Sequence, residues 1–249
     1  MSKYYELLQR VSTEGAAKRT ALPPPALPKR VYEMRPVPDA HALSREELVK
    51  LIQTVFLMPG NKSPKVVIFS SAESGAGCSS ICAGAAEALA AHVTEPVCLV
   101  DSNLRFPALH LCLGVENNRG LGEALTSPEP IREFMRKLPG ERLWLLSSGL
   151  SSPSHLGAVN SSHLAARIEE LRQEFPYVLM DSPPVNVYSD AISLGQAADG
   201  VILVISANST RKEAALRAKQ NFEGAGARLL GAVLNNRTYP IPQAIYDRL

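Results

Sequence analysis

From Val66 onward, short apolar runs alternate with segments of helical period. VVIFS, VCLVD, LWLLSS, YVLMD, VILVIS and LLGAVLN are apolar at nearly every position and strand-sized. SSICAGAAEALAAHV, IREFMRKL, SSHLAARIEELRQEF and TRKEAALRAKQNFEGAG carry apolar residues at helical spacing. Strands that are apolar on both faces, separated by helices, predict an α/β fold: a mostly parallel sheet with helices on both sides, three layers deep. The chain shows no internal repeat.

Upstream, SREELVKLIQTVF starts with Ser44 and has Glu47 three residues later, which reads as a capping box at a helix N-terminus. Leu48, Leu51, Ile52 and Val55 fall on one face of that helix. Residues 13–43 hold six prolines (Pro23, Pro24, Pro25, Pro28, Pro36 and Pro38) among scattered Lys and Arg, the composition of a semi-rigid spacer. Residues 2–12 place Tyr4, Leu8 and Val11 on one face of a short helix, which is marginal in water unless it docks. Two parts are expected: 1–43, a short helix and proline-rich linker, and 44–249, the α/β domain.

Bulk properties narrow the function classes. Of 249 residues, 45% are hydrophobic, enough for a sizeable core, and 26 basic against 24 acidic residues leave a net charge of +2. That balance gives no broad attraction to nucleic acid or anionic lipid. Cys78, Cys82, Cys98 and Cys112 form no CxxC pair, so zinc-ligand spacing is absent. Neither a leader-like start nor a run of about 18 apolar residues is present, and a cytoplasmic chain is expected.

The strand ending near Phe69 runs into SAESGAGCSS and then a small-residue helix. A strand, a glycine loop and a helix start make an anion site, because uncapped N–H groups and the helix dipole both favour a phosphate there. Gly75-Ala76-Gly77-Cys78-Ser79-Ser80 partly fits the dinucleotide fingerprint, with Asp101 about 20 residues on. Ser80 stands in place of the third glycine, however, and the loop is longer than that turn. In the register G-x-x-x-x-G-K-[ST], Ala72 takes the first glycine, Gly77 the second, Cys78 the lysine and Ser79 the hydroxyl.

Two further segments add to this match. VCLVDSNLRFPALH places Asp101 at a strand end with Asn103, Arg105 and Pro107 after it, and YVLMDSPPV places Asp181 at another, with Pro183, Pro184 and later Asp190. With NNRGLGEAL, LSSGLSSPSHL and the C-terminal LLGAVLNNRTYPIPQAIYDRL, residues 44–249 resemble the bacterial tyrosine kinases of capsule and exopolysaccharide assembly, a branch of the MinD/ParA-like P-loop ATPases. The resemblance implies ATP or ADP with magnesium as cofactor. It assigns the phosphates to the backbone of Gly75, Gly77, Cys78, Ser79 and Ser80, and the metal to Ser79, Asp101 and Asp181. Asp101, Asp181 and Arg105 become the catalytic candidates, and Asn235 falls near the base.

Departures from the family pattern count equally. Cys78 replaces the lysine that neutralises phosphate charge; losing one partner of a close charge pair costs about 2–5 kcal/mol, and about 3 kcal/mol is roughly a hundredfold in rate. Because phosphoryl transfer rests on positioning and electrostatics, that loss falls on turnover. Asn103 replaces a second aspartate. Glu47, Lys50 and Gln53 stand where the family's oligomerisation helix has Glu, Arg and Arg. Of a C-terminal tyrosine cluster only Tyr239 and Tyr246 remain.

The expectation is therefore a tyrosine-kinase-like regulator of polysaccharide assembly, with nucleotide binding weak or lost. Its partner would be a membrane copolymerase-type adaptor or a related kinase, placing the chain peripherally at the inner membrane. The alternatives are an active tyrosine kinase that draws its charge from Arg105 or a partner, and a positioning ATPase. Cys78 itself reads either as a tolerated small residue or as a redox-sensitive thiol at a helix N-terminus.

Overall fold

The computed structural model describes residues 40–57, 63–140, 142–150, 162–207 and 209–236, with side chains from Arg45 onward. The chain divides into two units, Met1–Pro38 and Asp39–Leu249. All described residues belong to the second. The short helix expected at 2–12, most of the proline-rich spacer, and Tyr239 and Tyr246 lie outside the described residues.

Among the described residues, seven strands form one sheet in the order β3-β4-β2-β5-β1-β6-β7. They are β1 (Val66–Ser71), β2 (Val97–Asp101), β3 (Arg136–Lys137), β4 (Leu143–Leu146), β5 (Tyr177–Asp181), β6 (Gly200–Ser206) and β7 (Leu229–Asn235). All neighbours are parallel except β3, which pairs antiparallel with β4. The helices are α1 (Ala40–Phe56), α2 (Cys78–His92), α3 (Leu109–Leu113), α4 (Leu121–Thr126), α5 (Ser162–Glu174), α6 (Asp190–Ala197) and α7 (Lys212–Gly224), with a 3-10 turn at Ile131–Phe134.

The central strands β1, β2, β5 and β6 are buried on both faces, and their side chains divide by the period of two. Val67, Phe69, Val97, Leu99 and Leu179 face α1 and α2, where Ile52, Phe56 and Leu89 are fully buried. Val66, Ile68, Cys98, Val100, Val178 and Met180 face the other way, onto Leu125 of α4, Leu171 of α5, Leu194 of α6 and Phe222 of α7. The α/β, three-layer expectation therefore holds. On α1, Leu48, Leu51, Ile52 and Val55 do share the core-facing side. Gly84 of α2 lets that helix approach, since a Cβ there would come within 2.7 Å of Leu48 Cδ1.

Two local expectations are corrected. The first helix starts at Ala40, so Ser44 lies inside it and is not its N-cap. IREFMRKL is not one helix: a four-residue 3-10 turn is followed by the edge strand β3. Pro128 and Pro130 precede the segment and Pro139-Gly140 turns the chain back, leaving too few residues to repay helix nucleation.

Candidate functional site

Parallel strands end together, so the C-terminal edge of the sheet gathers the loops that follow β1, β2, β5 and β7. After β1 the chain turns through Gly75 (φ 85°) and Gly77 (φ 81°), left-handed conformations that glycine adopts without strain. Gly77 is the N-cap of the fifteen-residue α2 and offers no side chain to cap it, so first-turn N–H groups remain free for an anion. Ser70 Oγ donates to the Pro183 carbonyl (3.1 Å) and Val185 N–H to that of Ser71 (2.9 Å), tying the loop's start to the segment after β5. Between Ser70 and Ser80 there is no Lys or Arg, and Glu73 is the sole charged side chain.

Asp101 and Asp181 are register partners at the ends of β2 and β5, and both are fully buried. Asp101 Oδ2 accepts from the N–H groups of Ala108 (3.1 Å) and Leu109 (3.0 Å), and Oδ1 from that of Asn103 (3.2 Å). Asp181 Oδ2 accepts from Ser79 Oγ at 2.5 Å, while Oδ1 is buried with no donor in hydrogen-bond geometry among the described residues. Burial, and then the charge of Asp181, push the Asp101 carboxyl up to about 7. Burial pushes Asp181 up to about 6 despite the opposing Ser79 and Cys78 donors.

The half-buried Cys78 is the first residue of α2, with its thiol against the Asp181 carboxylate and the Ser182 N–H. Burial and the Asp181 charge hold it well above the usual thiol range. Ser80, exposed in the same turn, reaches toward the Cys112 thiol.

Arg105 pairs with Asp190. Its Nε donates to Asp190 Oδ2 (2.6 Å) and its Nη2 to Oδ1 (3.3 Å), and its guanidinium lies 4.6 Å from the Tyr188 ring centre. Asn103 Oδ1 accepts from Phe106 N–H (3.2 Å), a turn-forming role. Asn235 projects from the end of β7 onto the phosphate loop, where Nδ2 donates to the Ala76 carbonyl (2.9 Å). The structure thus brings together Gly77, Cys78, Ser79, Asp101, Asp181 and Asn235, and pairs Arg105 with Asp190. The Arg105–Asp190 pair and Tyr188 were not foreseen. Asp190 was visible after Pro183-Pro184, but nothing in the residue pattern indicated its partner.

An orphaned carboxylate oxygen beside a serine hydroxyl and a second carboxylate fits magnesium, which takes hard oxygen ligands. Among the described residues no three of His, Cys, Asp and Glu gather to hold a metal unaided. The ion would therefore complete its shell from phosphate and water. When bound it would supply positive charge to the phosphates. Ser79 would lend its hydroxyl, Asp181 its free oxygen, and Asp101, held in place by three backbone N–H groups, its carboxylate.

No family model matches the chain. It is 31% identical over 199 residues to tyrosine-protein kinase YwqD of Bacillus subtilis (strain 168), covering 80% of this chain and 84% of that protein. The crystal structure of the chimerical protein CapA2B2 superposes with a TM-score of 0.72 at 27% identity, covering 84% of this chain and 89% of that one. The septum site-determining protein MinD from Pyrococcus horikoshii OT3, complexed with Mg-ADP, shares the fold at a TM-score of 0.61 and 22% identity, over 74% of this chain and 76% of that one.

Proposed function

Since the chain belongs to the bacterial tyrosine-protein kinase family, we propose that it is a tyrosine-kinase-like regulator of capsule or exopolysaccharide assembly whose nucleotide binding and catalysis are impaired. One observation carries this reading: Cys78 stands in the phosphate-lysine position, and no Lys or Arg lies between Ser70 and Ser80 to replace the missing charge. The loop keeps its backbone cradle and its metal-side oxygens but contributes no cation to the terminal phosphates. Arg105, the family arginine, is engaged by Asp190.

Its role is then binding rather than turnover. The partner is a membrane copolymerase-type adaptor or a complete kinase of the same family, engaged through the N-terminal segment or α1, and the domain works at the inner membrane through that partner. On α1 the exposed Arg45, Glu46, Glu47 and Gln53 leave a polar face. Residues 44–249 act as one domain and 1–43 as its tether.

The second reading is an active kinase. The intact turn through Gly75 and Gly77 and the Ser79–Asp181 bond favour it, since the cradle is formed without lysine. Incubation of the purified chain with ATP and Mg²⁺, followed by phosphotyrosine detection, separates the two. The regulator reading predicts no labelling; robust labelling abolished by Asp181→Ala would overturn it.

A further inference from the structure

Tyr188 lies on the loop from β5 to α6, directly before Ser189, the N-cap of that helix. Its hydroxyl bonds to no described residue and is not among the buried polar atoms lacking partners. Two exposed apolar side chains flank it: Val187 at 55% and Phe106 at 60%, the latter with its ring 6.2 Å away. The other described tyrosine, Tyr177, packs edge-on against Phe56 at the opposite end of the sheet.

What surrounds the Tyr188 ring suits an anion. The Arg105 guanidinium lies 4.6 Å from its centre, and only two of its five N–H donors are used on Asp190. The Arg105 side chain is 30% exposed and has room to turn, whereas Asp190 is 3% exposed and fixed. Ser189 makes no side-chain cap bond and Ile192 N–H is taken by the Ser189 carbonyl, so the first turn of the eight-residue α6, whose acidic residue is Asp190, offers the N–H groups of Asp190 and Ala191 at the positive end of its dipole. A phosphate added here gains about two negative charges, at a helix N-terminus and beside a guanidinium, the setting in which phosphorylation orders a segment.

We infer that Tyr188 is a phosphoacceptor for a complete tyrosine kinase, with Arg105 and the start of α6 holding the product. The inference rests on the family reading, which supplies such a kinase as partner. The Tyr188 oxygen bonds to the γ-phosphorus of ATP on that kinase. The bond from this phosphorus to the β-phosphate oxygen breaks, ADP leaves with the electron pair, and the phenolic proton passes to a base of the donor enzyme. Arg105 then bridges Asp190 and the new phosphate. This ties the loop after β2 to the segment that leads from β5 into α6.

The test uses the full chain with ATP and Mg²⁺, alone and with an active bacterial tyrosine kinase, read by phosphopeptide mass spectrometry. Phosphate is expected on Tyr188 only when the kinase is present, and its peptide is absent from Tyr188→Phe. In the phosphorylated protein, ³¹P titration should place the second ionisation about one unit lower with Arg105 than in Arg105→Gln, the effect of a close opposite charge. If the kinase modifies its own tyrosines and leaves Tyr188 unmodified, or if the two titrations coincide, the inference fails. Labelling of Tyr188 by the chain alone would instead defeat the regulator reading and leave the acceptor assignment standing.

Discussion

Ser79 donates a 2.5 Å hydrogen bond to Oδ2 of Asp181, joining the first turn of α2 to the end of β5 across 102 residues of sequence. That bond fixes the hydroxyl expected to ligate magnesium beside the free Oδ1 of the same carboxylate. Ser79→Ala removes a donor from a buried carboxylate, at a cost of about 1–3 kcal/mol. Thermal unfolding should show this loss in metal-free buffer, and added Mg²⁺ should stabilise the variant less than the wild type.

Both buried carboxyls lie above the usual range, Asp101 at about 7 and Asp181 at about 6. The folded state therefore binds their protons more tightly than the unfolded chain. Their penalty is absent below the unfolded value near 3.8, grows as pH rises, and is complete above about 7. Burial lowers His110, whose effect runs the other way below its ordinary value, so the contrast is drawn against a variant. Relative to wild type, Asp181→Asn should gain on the order of 2 kcal/mol between pH 5 and pH 8. Melting temperatures across that range check the sign; a constant difference would contradict it.

Gly77 is required twice over: φ is 81°, and a Cβ would sit 2.3 Å from Asn235 Nδ2. Gly77→Ala should destabilise by about 1–2 kcal/mol from the left-handed backbone alone, with more from the collision. In an Asn235→Ala background the collision part should vanish and the backbone part remain. A double-mutant cycle by denaturant unfolding measures the difference.

Gly120 has an extended backbone, and its constraint is steric: a Cβ would meet the Ser147 carbonyl oxygen at 1.9 Å and the Gly149 nitrogen at 2.6 Å. Neither backbone atom can swing away. Gly120→Ala should cost about 1–3 kcal/mol as overpacking, read as a lower unfolding midpoint. Gly224→Ala, where a Cβ meets open space, is the control.

The strands could be read from the sequence because each is a continuous apolar run, and that sufficed for layers and fold class. Strand β3 could not, since Arg136 and Lys137 are charged, exposed and only two residues long. The eight-residue α6 is too short to show a period. At the site, Asp101, Asp181 and Ser79 stood out at strand and helix ends. Their convergence depends on β5 lying between β2 and β1, an order that no local pattern encodes. Asn235 reaches Ala76 for a similar reason, across β6 from β7. The Arg105–Asp190 pair joins the loop after β2 to the first residue of α6, 85 residues apart, and leaves no spacing signal.

The central claim is that the cradle persists and its cation does not. Isothermal calorimetry with ADP and Mg²⁺ on the wild type and on Cys78→Lys tests it directly. Little or no heat is predicted for the wild type. Lysine should improve affinity by roughly a hundredfold, equivalent to restoring about 3 kcal/mol of charge pairing. Equal and tight binding by both proteins would contradict the claim.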